Sequence, residues 1–423
     1  MISQQERDIQ HQVSGARIKR NVEELCNVAP DRFVGTPGDK QAIAYMKQRF
    51  EELGLEIHET KIYVPSWQEL KPPVIRIEAT GESIEGISAS FAVSTPDGGV
   101  DTDLVLVRDG QDADYEGVDV SGKIVVLTEE TLGFSKFWMG TYVDRAARRG
   151  AIGVILIHPM PWPYRISMEA GNSVIANRFC ERQIPTVCIS GIEGLKLMHA
   201  IGRGDSRVHL ETWNKVEPSE SVVISAIHRG TELPEERIGF VGHRDNANTP
   251  GANDNGTGSG TLLELARVLS KLQPRRSFEF ISSTAEEGVT EGIWQFIQAH
   301  KDDLQKNMKA VLDTDMVGVG GVPIQVDMGY WPDAKPQQHP QWLLEMVEQI
   351  AEELGYGFDR INCEWGYPEE GRFNAIGVPS TVLWQPDDPY YHSIHDTPDH
   401  LNPGSIKAVA DTYALVAWRL ANK

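Results

Sequence analysis

From about residue 218 onward the chain alternates between short apolar runs and longer amphipathic ones. The apolar runs are VVISAIHRG, RIGFVGH, SFEFISST, MKAVLDTDMVG and VPSTVLW. Helical spacing of apolar residues marks 257–272, 291–300, 340–354 and 403–421. Strands interleaved with helices bury their apolar faces by layering. The sequence therefore predicts an α/β fold with a mixed, mostly parallel central sheet and helices on both faces. In open α/β sheets ligands bind beyond the carboxyl ends of the strands, so those ends are where chemistry should be sought.

The rest of the chain reads differently. At 423 residues it is too long for one ordinary domain. Residues 1–60 are helical in pattern; Ile43, Met46, Phe50 and Leu53 fall on one face of a helix that follows the turn residues GTPGD. Residues 61–215 carry short strand-like runs (VIRIEA, TDLVLV, GKIVVLT, AIGVILIH, IPTVCIS) and one helix near 143–149. This segment, between 1–60 and 216–423, is expected to be a small β-rich unit with its own core. It holds no cluster of metal-binding side chains.

Composition excludes several classes. A net charge of −21 argues against nucleic acid, whose phosphates need Lys and Arg, and against anionic membranes. No run of apolar residues is long enough to span a bilayer. The opening MISQQERDIQHQ lacks the apolar core of a signal peptide. The 4 cysteines, Cys26, Cys180, Cys188 and Cys363, are scattered and fit neither a zinc knuckle nor a disulfide framework. A cytoplasmic location is the expectation; a homo-oligomer is left open.

Four strand ends deliver carboxylate or imidazole: His243 and Asp245; Glu286 and Glu287; Asp313 and Asp315; His392, His395 and Asp396. Histidine and carboxylate without cysteine describe a site for zinc, with cobalt or manganese as alternatives. The carboxylates exceed what one tetrahedral ion needs, and two ions sharing a bridging carboxylate would use them. In GHRDNANTPGANDNGTGSG, His243 and Asp245 are two residues apart and share a strand face, so one can bind metal while the other orients it. Asp254 sits in a glycine-flanked loop before a helix, as a ligand or simply as a helix cap. Its glycines are spaced G-x-G-x-G and Thr261 takes the place of a third glycine, which argues against a dinucleotide loop. The pair Glu286–Glu287 reads as a solvated turn or as one ligand beside one proton acceptor.

In this order, GHRD, PGANDNGTG, STAEEG, LDTDMVG and YHSIHDT resemble metallopeptidase family 28, the co-catalytic zinc aminopeptidases and their carboxypeptidase relatives. The resemblance covers roughly 218–423, and RFVGTPGDKQAIAYMKQRFEELGLE is similar to the family's opening. It implies a zinc-exopeptidase-like fold in which Asp254 bridges two metals, His243 and Asp315 complete one, and Glu287 and His392 complete the other. It further implies that Glu286 is the general base and that Asp245 supports His243. Asp313 matches no ligand position. His395 lies within the H-x-x-x-D-T spacing as a substrate contact or a solvated loop residue. Asp396 orients its loop or caps the last helix.

The middle unit resembles a protease-associated domain in GKIVVLTEE, DRAARRGAIGVILIH and IPTVCISGIEGLKLM, and the resemblance implies that it is inserted into a main domain built from 1–60 and 216–423. Its aromatic stretches 134–138 and 162–164 stand as walls of a cleft or as core. Two departures from the family bear on substrate contacts: Arg244 and Asn246 flank Asp245, and GYPEEGRFNAIGVP replaces a Ser-Asp-His-type run.

The implied activity is that of a metal-dependent aminopeptidase acting on peptides. The alternative is a carboxypeptidase or an amidohydrolase on a small amide with the same two metals. A carboxypeptidase needs a cation for the terminal carboxylate, for which Arg165, Arg244 and Arg372 are candidates against a reading of each as a solvated surface arginine. A receptor that has lost its metals is disfavoured, since every ligand position is filled.

Overall fold

The computed structural model describes residues 2–128, 139–166, 182–287, 291–321, 323–329, 337–363, 369–385 and 387–423. They form two compact units. One comprises Met1–Val64, Glu220–Tyr391 and His395–Lys423, the other Pro65–Ser219 with His392–Ile394.

The chain opens with helices α1 (Gln4–Gln12), α2 (Gly15–Val28) and α3 (Pro37–Glu52). Each begins where a hydroxyl side chain, from Ser3, Ser14 or Thr36, accepts a first-turn N–H. Strand β1 (Glu56–Ile77) then carries the chain into the inserted unit. There follow β2 (Ser83–Ile84), β3 (Gly86–Ser88), β4 (Val100–Arg108), β5 (Ile124–Thr128), α4 (Gly140–Arg148), β6 (Gly153–Ile157), β7 (Thr186–Ile189) and α5 (Gly191–Arg203). β4, β5, β6 and β7 are parallel neighbours, and β3 closes the edge antiparallel to β7. Ile124, Val126, Ile155, Val187 and Ile189 fill the core of this sheet. The strand-like runs of the sequence are its strands, but the sequence reading has no α5. Ser190 caps that helix at its start, and Gly204, in the left-handed region, ends it.

β8 (Arg207–His228) returns the chain to the main unit. Only its last turn of sequence, VVISAIHRG, reads as a strand. The preceding WNKVEPSE is polar and mostly not buried, so no period-two pattern marks it. The main unit continues with β9 (Leu233–His243), α6 (Thr257–Leu269), β10 (Arg276–Ser283), α7 (Gly292–Asn307) and β11 (Met308–Asp315). After these come β12 (Ile324–Gly329), β13 (Gln337–Gln338), α8 (Gln341–Leu354), β14 (Asp359–Cys363), α9 (Glu370–Ala375), β15 (Ser380–Trp384) and α10 (Pro403–Asn422). The strand order is β13-β12-β15-β11-β9-β10-β8, with β14 beside β12. β15, β11, β9 and β10 are parallel; β8 and β12 flank them antiparallel. The sheet is thus mixed and mostly parallel, with helices packed against it.

Its core joins Ile224, Phe240, Phe280, Leu312 and Leu383 of the strands to Leu262, Leu265, Leu269, Tyr413 and Val416 of α6 and α10. α7 runs past the predicted end at 300, where His300 leaves helical geometry, because Leu304 buries one further turn. No described helix is long and apolar enough to cross a membrane.

Candidate metal centre

Register gathers the chemistry. His243 at the end of β9 lies level with Ser283 of β10, so Glu286 and Glu287 emerge just beyond the same edge. On β11, Asp313 is level with Val241 of β9, and Asp315 ends the strand two residues later. Non-glycine residues enter the left-handed region at each turn-off: Ala285 before the glutamates (φ 57°), Met316 after Asp315 (φ 50°) and His392 itself (φ 50°). Such backbone is costly and clusters at functional sites.

His243 is buried, with Nδ1 3.5 Å from Asp245 Oδ1 and Nε2 3.4 Å from Asp254 Oδ1 and 3.5 Å from Asp315 Oδ1. Asp254 also approaches Glu287: their ligand oxygens lie within 4.8 Å of each other. Asp254 therefore stands within reach of both His243–Asp315 and Glu287. Asp245 has two tasks. Besides facing His243, its carboxylate accepts the N–H of Glu286 at 3.4 Å and of Glu287 at 3.1 Å.

The loop that presents Asp254 is built by its neighbours. Asp254 has φ −107° and ψ 98°, outside helical values, and α6 begins only at Thr257. Gly256 takes the N-cap position, and the side chain that meets a first-turn N–H is that of Asn255, whose Oδ1 accepts the Gly258 N–H at 2.8 Å while its Nδ2 donates to the Thr314 carbonyl at 2.8 Å. Asp254 is thereby spared capping duty. Gly258 must be glycine, because a Cβ there would lie 2.4 Å from the Thr314 carbonyl oxygen. Asp396, expected to orient its own loop or to cap the last helix, instead accepts the amides of this loop, and the cap of α10 is Asn402.

His392 belongs with the inserted unit. Its Nδ1 is 2.9 Å from the Arg165 carbonyl, and its own carbonyl accepts the Arg165 N–H at 2.8 Å. Tyr164 stacks on its ring at 5.7 Å. With Nδ1 protonated to meet a carbonyl, Nε2 carries the lone pair that a metal requires.

Electrostatics asks for a cation. Burial alone would lower the His243 pKa, but Asp245, Asp254 and Asp315 outweigh it and hold the pKa well above the ordinary value. Glu286 is half-buried; burial, then Glu287, Asp315 and Asp254, push its carboxyl well up despite His243. Removing carboxylates from water among other carboxylates is costly unless a positive charge compensates. Imidazole and carboxylate donors on neighbouring strand ends fit a divalent ion of the zinc kind.

Other residues stand apart. Asp313 belongs to neither candidate ligand group and accepts the Glu370 N–H at 3.1 Å. His395 is exposed. The three arginines read as solvated are all buried. Arg165 pairs with Glu69 at 2.9 Å and donates to the Ser88 carbonyl. Arg244 donates to the carbonyls of Ser282, Ser283 and Val222 and pairs with Asp39. Arg372 is surrounded by Glu291, Glu286, Glu369 and Glu370, and burial brings it down to about 10. A buried guanidinium needs such partners. The aromatic stretch 134–138 lies outside the described residues; in the other, Tyr164 is buried.

Sequence reasoning missed a buried acidic group at the start of α9. Burial pushes Glu369 to about 7 and Glu370 to about 8, and His339 Nε2 is 3.7 Å from Glu370. Its only trace in the sequence is the EE pair of GYPEEGRF.

Sheet and centre together define the class: a metal-dependent hydrolase on a mixed α/β sheet. Peptidase family M28 matches residues 222–417 and the PA domain matches residues 96–197. Nearly half of the chain thus resembles peptidase family M28, and the segment before it resembles a PA domain. Carboxypeptidase Q of Mus musculus is 23% identical, across 94% of this chain and 84% of its own length. Aminopeptidase YwaD of Bacillus subtilis (strain 168) is 23% identical, across 100% of this chain and 88% of its own. The solved structure of BSAP, a zinc aminopeptidase from Bacillus subtilis, shares the fold: TM-score 0.75 at 20% identity, over 97% of this chain and 96% of that one.

Proposed function

We propose that the protein is an aminopeptidase that removes N-terminal residues from peptides with two divalent ions, zinc first among them. The observation that carries this reading is the placement of Asp254 within reach of His243 and Asp315 on one side and Glu287 on the other. His243, Asp254 and Asp315 would hold one ion; Asp254, Glu287 and His392 the second. When bound, the ions supply Lewis acidity to the scissile carbonyl and to water.

The chain's own residues do the rest. Glu286 accepts the proton of the attacking water on its carboxylate and delivers it to the departing amine. Burial among carboxylates raises its proton affinity, which suits that task, and bound cations would lower it again. Asp245 fixes the His243 ring and, through the Glu286 and Glu287 amides, the turn that carries base and ligand together. The acidic surroundings favour a substrate's free ammonium group. The names of YwaD and BSAP, both aminopeptidases, support the same reading.

A second reading, carboxypeptidase, is favoured by the likeness to Carboxypeptidase Q over most of the chain. It needs a cation for the terminal carboxylate, and Arg165 and Arg244 are already engaged. A peptide library with half its N-termini acetylated, incubated with the zinc-loaded protein and followed by mass spectrometry, separates the two. Stepwise loss from free N-termini alone is expected. Loss from C-termini regardless of acetylation would establish the carboxypeptidase. No cleavage of any peptide would direct the search to small amides.

A further inference from the structure

Arg32 is fully buried in the main unit, and among the described residues no carboxylate pairs with it. Its guanidinium is satisfied by main chain instead. Nε donates to the Arg244 carbonyl at 2.5 Å, Nη1 to the Pro250 carbonyl at 2.8 Å, and Nη2 to the Gly251 carbonyl. The Arg32 N–H is in turn accepted by Asn246 Oδ1 at 3.1 Å, and Asn246 Nδ2 donates to the Pro30 carbonyl at 3.0 Å and the Thr249 carbonyl.

All of these acceptors except the Pro30 carbonyl lie on one loop, the segment that leaves His243 and arrives at Asp254. The fit is close. Gly251 has φ 57°, and a Cβ there would stand 2.6 Å from the Asp254 carbonyl oxygen and 3.0 Å from Arg32 Nη2. The Gly251 carbonyl also accepts the Gly256 N–H at 3.1 Å, so the same oxygen ties Arg32 to the far side of Asp254.

Burying an unpaired guanidinium costs several kcal/mol unless dipoles compensate. An apolar side chain would fill the same space without that cost. What an apolar residue lacks is a planar fork of five N–H donors that can hold three diverging carbonyls at once; lysine lacks it too. We infer that Arg32 is a positioning residue for the metal centre: it fixes the 244–251 loop so that the Asp254 carboxylate would be placed to hold metal. This rests on the proposed role of Asp254. It assigns to the helical N-terminal segment, remote in sequence from every ligand, a direct part in metal affinity.

The test uses the full chain as Arg32→Met and Arg32→Lys, with Arg237→Met as a matched control. Arg237 is another buried arginine of the same unit, bound to Glu279 at 2.6 Å and to Asp303, with no bond to the loop. Zinc affinity is read by competition with a chromogenic chelator, and stability of the metal-free protein by thermal unfolding.

Both Arg32 variants are expected to lose zinc affinity by roughly 10–100-fold, the scale on which residues that orient ligands act. Millimolar guanidinium should recover part of the loss in Arg32→Met. Arg237→Met should lower thermal stability as much and leave zinc affinity within a few-fold. Unchanged zinc affinity in the Arg32 variants would overturn the inference, as would an equal loss in Arg237→Met. If Arg32→Met does not fold, Arg32→Lys, which keeps the charge and loses the fork, decides by the same criteria. A wild-type chain that binds no zinc would refute the metal reading itself, an outcome distinct from a variant-specific result.

Discussion

The Asp396 carboxylate accepts the backbone N–H of Asp254 at 3.0 Å and, through its other oxygen, that of Asn253 at 2.7 Å. With Arg32 holding the carbonyls on one side of the loop and Asp396 the amides on the other, the bridging candidate is fixed through its main chain. Asp396→Asn keeps the size and removes one acceptor, turning an N–H towards an N–H. Zinc affinity should fall by about 10–100-fold with circular dichroism unchanged. Chelator competition measures it, and an unaltered affinity would show that Asp254 needs no such anchor.

Glu286 and Glu287 are adjacent but differ in surroundings: Glu287 is buried and within reach of Asp254, Glu286 half-buried. Glu286→Gln should retain both ions and lose about 10²–10⁴-fold in kcat, the usual worth of a positioned proton acceptor. Metal analysis beside steady-state kinetics checks both halves. Normal turnover would remove Glu286 from the mechanism; lost metal would make it a ligand.

Substitution at the ligands should divide the centre. Asp315→Asn is expected to weaken one ion and spare the other, Glu287→Gln the converse, and Asp254→Asn to weaken both. Mass-spectrometric metal stoichiometry after dialysis against a chelator reads this directly. Retention of two ions by Asp254→Asn would end its bridging role.

Much of this was legible because local rules and global fold agree. Strand ends in an α/β sheet carry chemistry wherever they lie in sequence, so His243, Glu287 and Asp315 could be found from apolar runs and the residues that follow them. What was illegible depends on tertiary contact. Nothing near Arg32 tells that its partners are carbonyls some 210–220 positions on. Arg165, Arg244 and Arg372 looked like surface residues because composition favours that, yet each is buried among acceptors or acids. The polar half of β8 lacks an alternating pattern; β12 (IQVDMG) does alternate, but over only 6 residues, and β14 (DRINC) is shorter still. Glu369 and Glu370 resemble any solvated acidic pair until α9 turns them inward.

Gly258 shows how little slack the centre has. An added Cβ would sit 2.4 Å from the Thr314 carbonyl oxygen and 2.5 Å from Asn255 Oδ1, neither at the end of a flexible chain. Gly258→Ala should cost about 1–3 kcal/mol, the range for overpacking, and shift Asn255, whose Oδ1 takes the Gly258 N–H. Asp254, its neighbour in sequence, would move with it. Thermal unfolding should show the lost stability and chelator competition a weaker hold on zinc. A variant as stable as wild type would mean that strands β9 and β11 and the start of α6 are less closely packed than described.

His158 in the inserted unit offers a test by pH. It is buried against Tyr164, its ring 4.7 Å from the tyrosine's, and burial brings its pKa from 6.5 to about 4. The unfolded chain therefore binds a proton that the folded one refuses between those values. Stability contributed by this residue falls as pH drops through 6.5, and the penalty is complete below about 4. His158→Phe keeps an aromatic ring against Tyr164 and removes the proton, giving up the bond from the Met160 N–H at 3.3 Å. The difference in melting temperature between variant and wild type should shift in favour of the variant as pH is lowered from 7 towards 4. A constant difference across that range would show that His158 is protonated in the folded protein as readily as in the unfolded one.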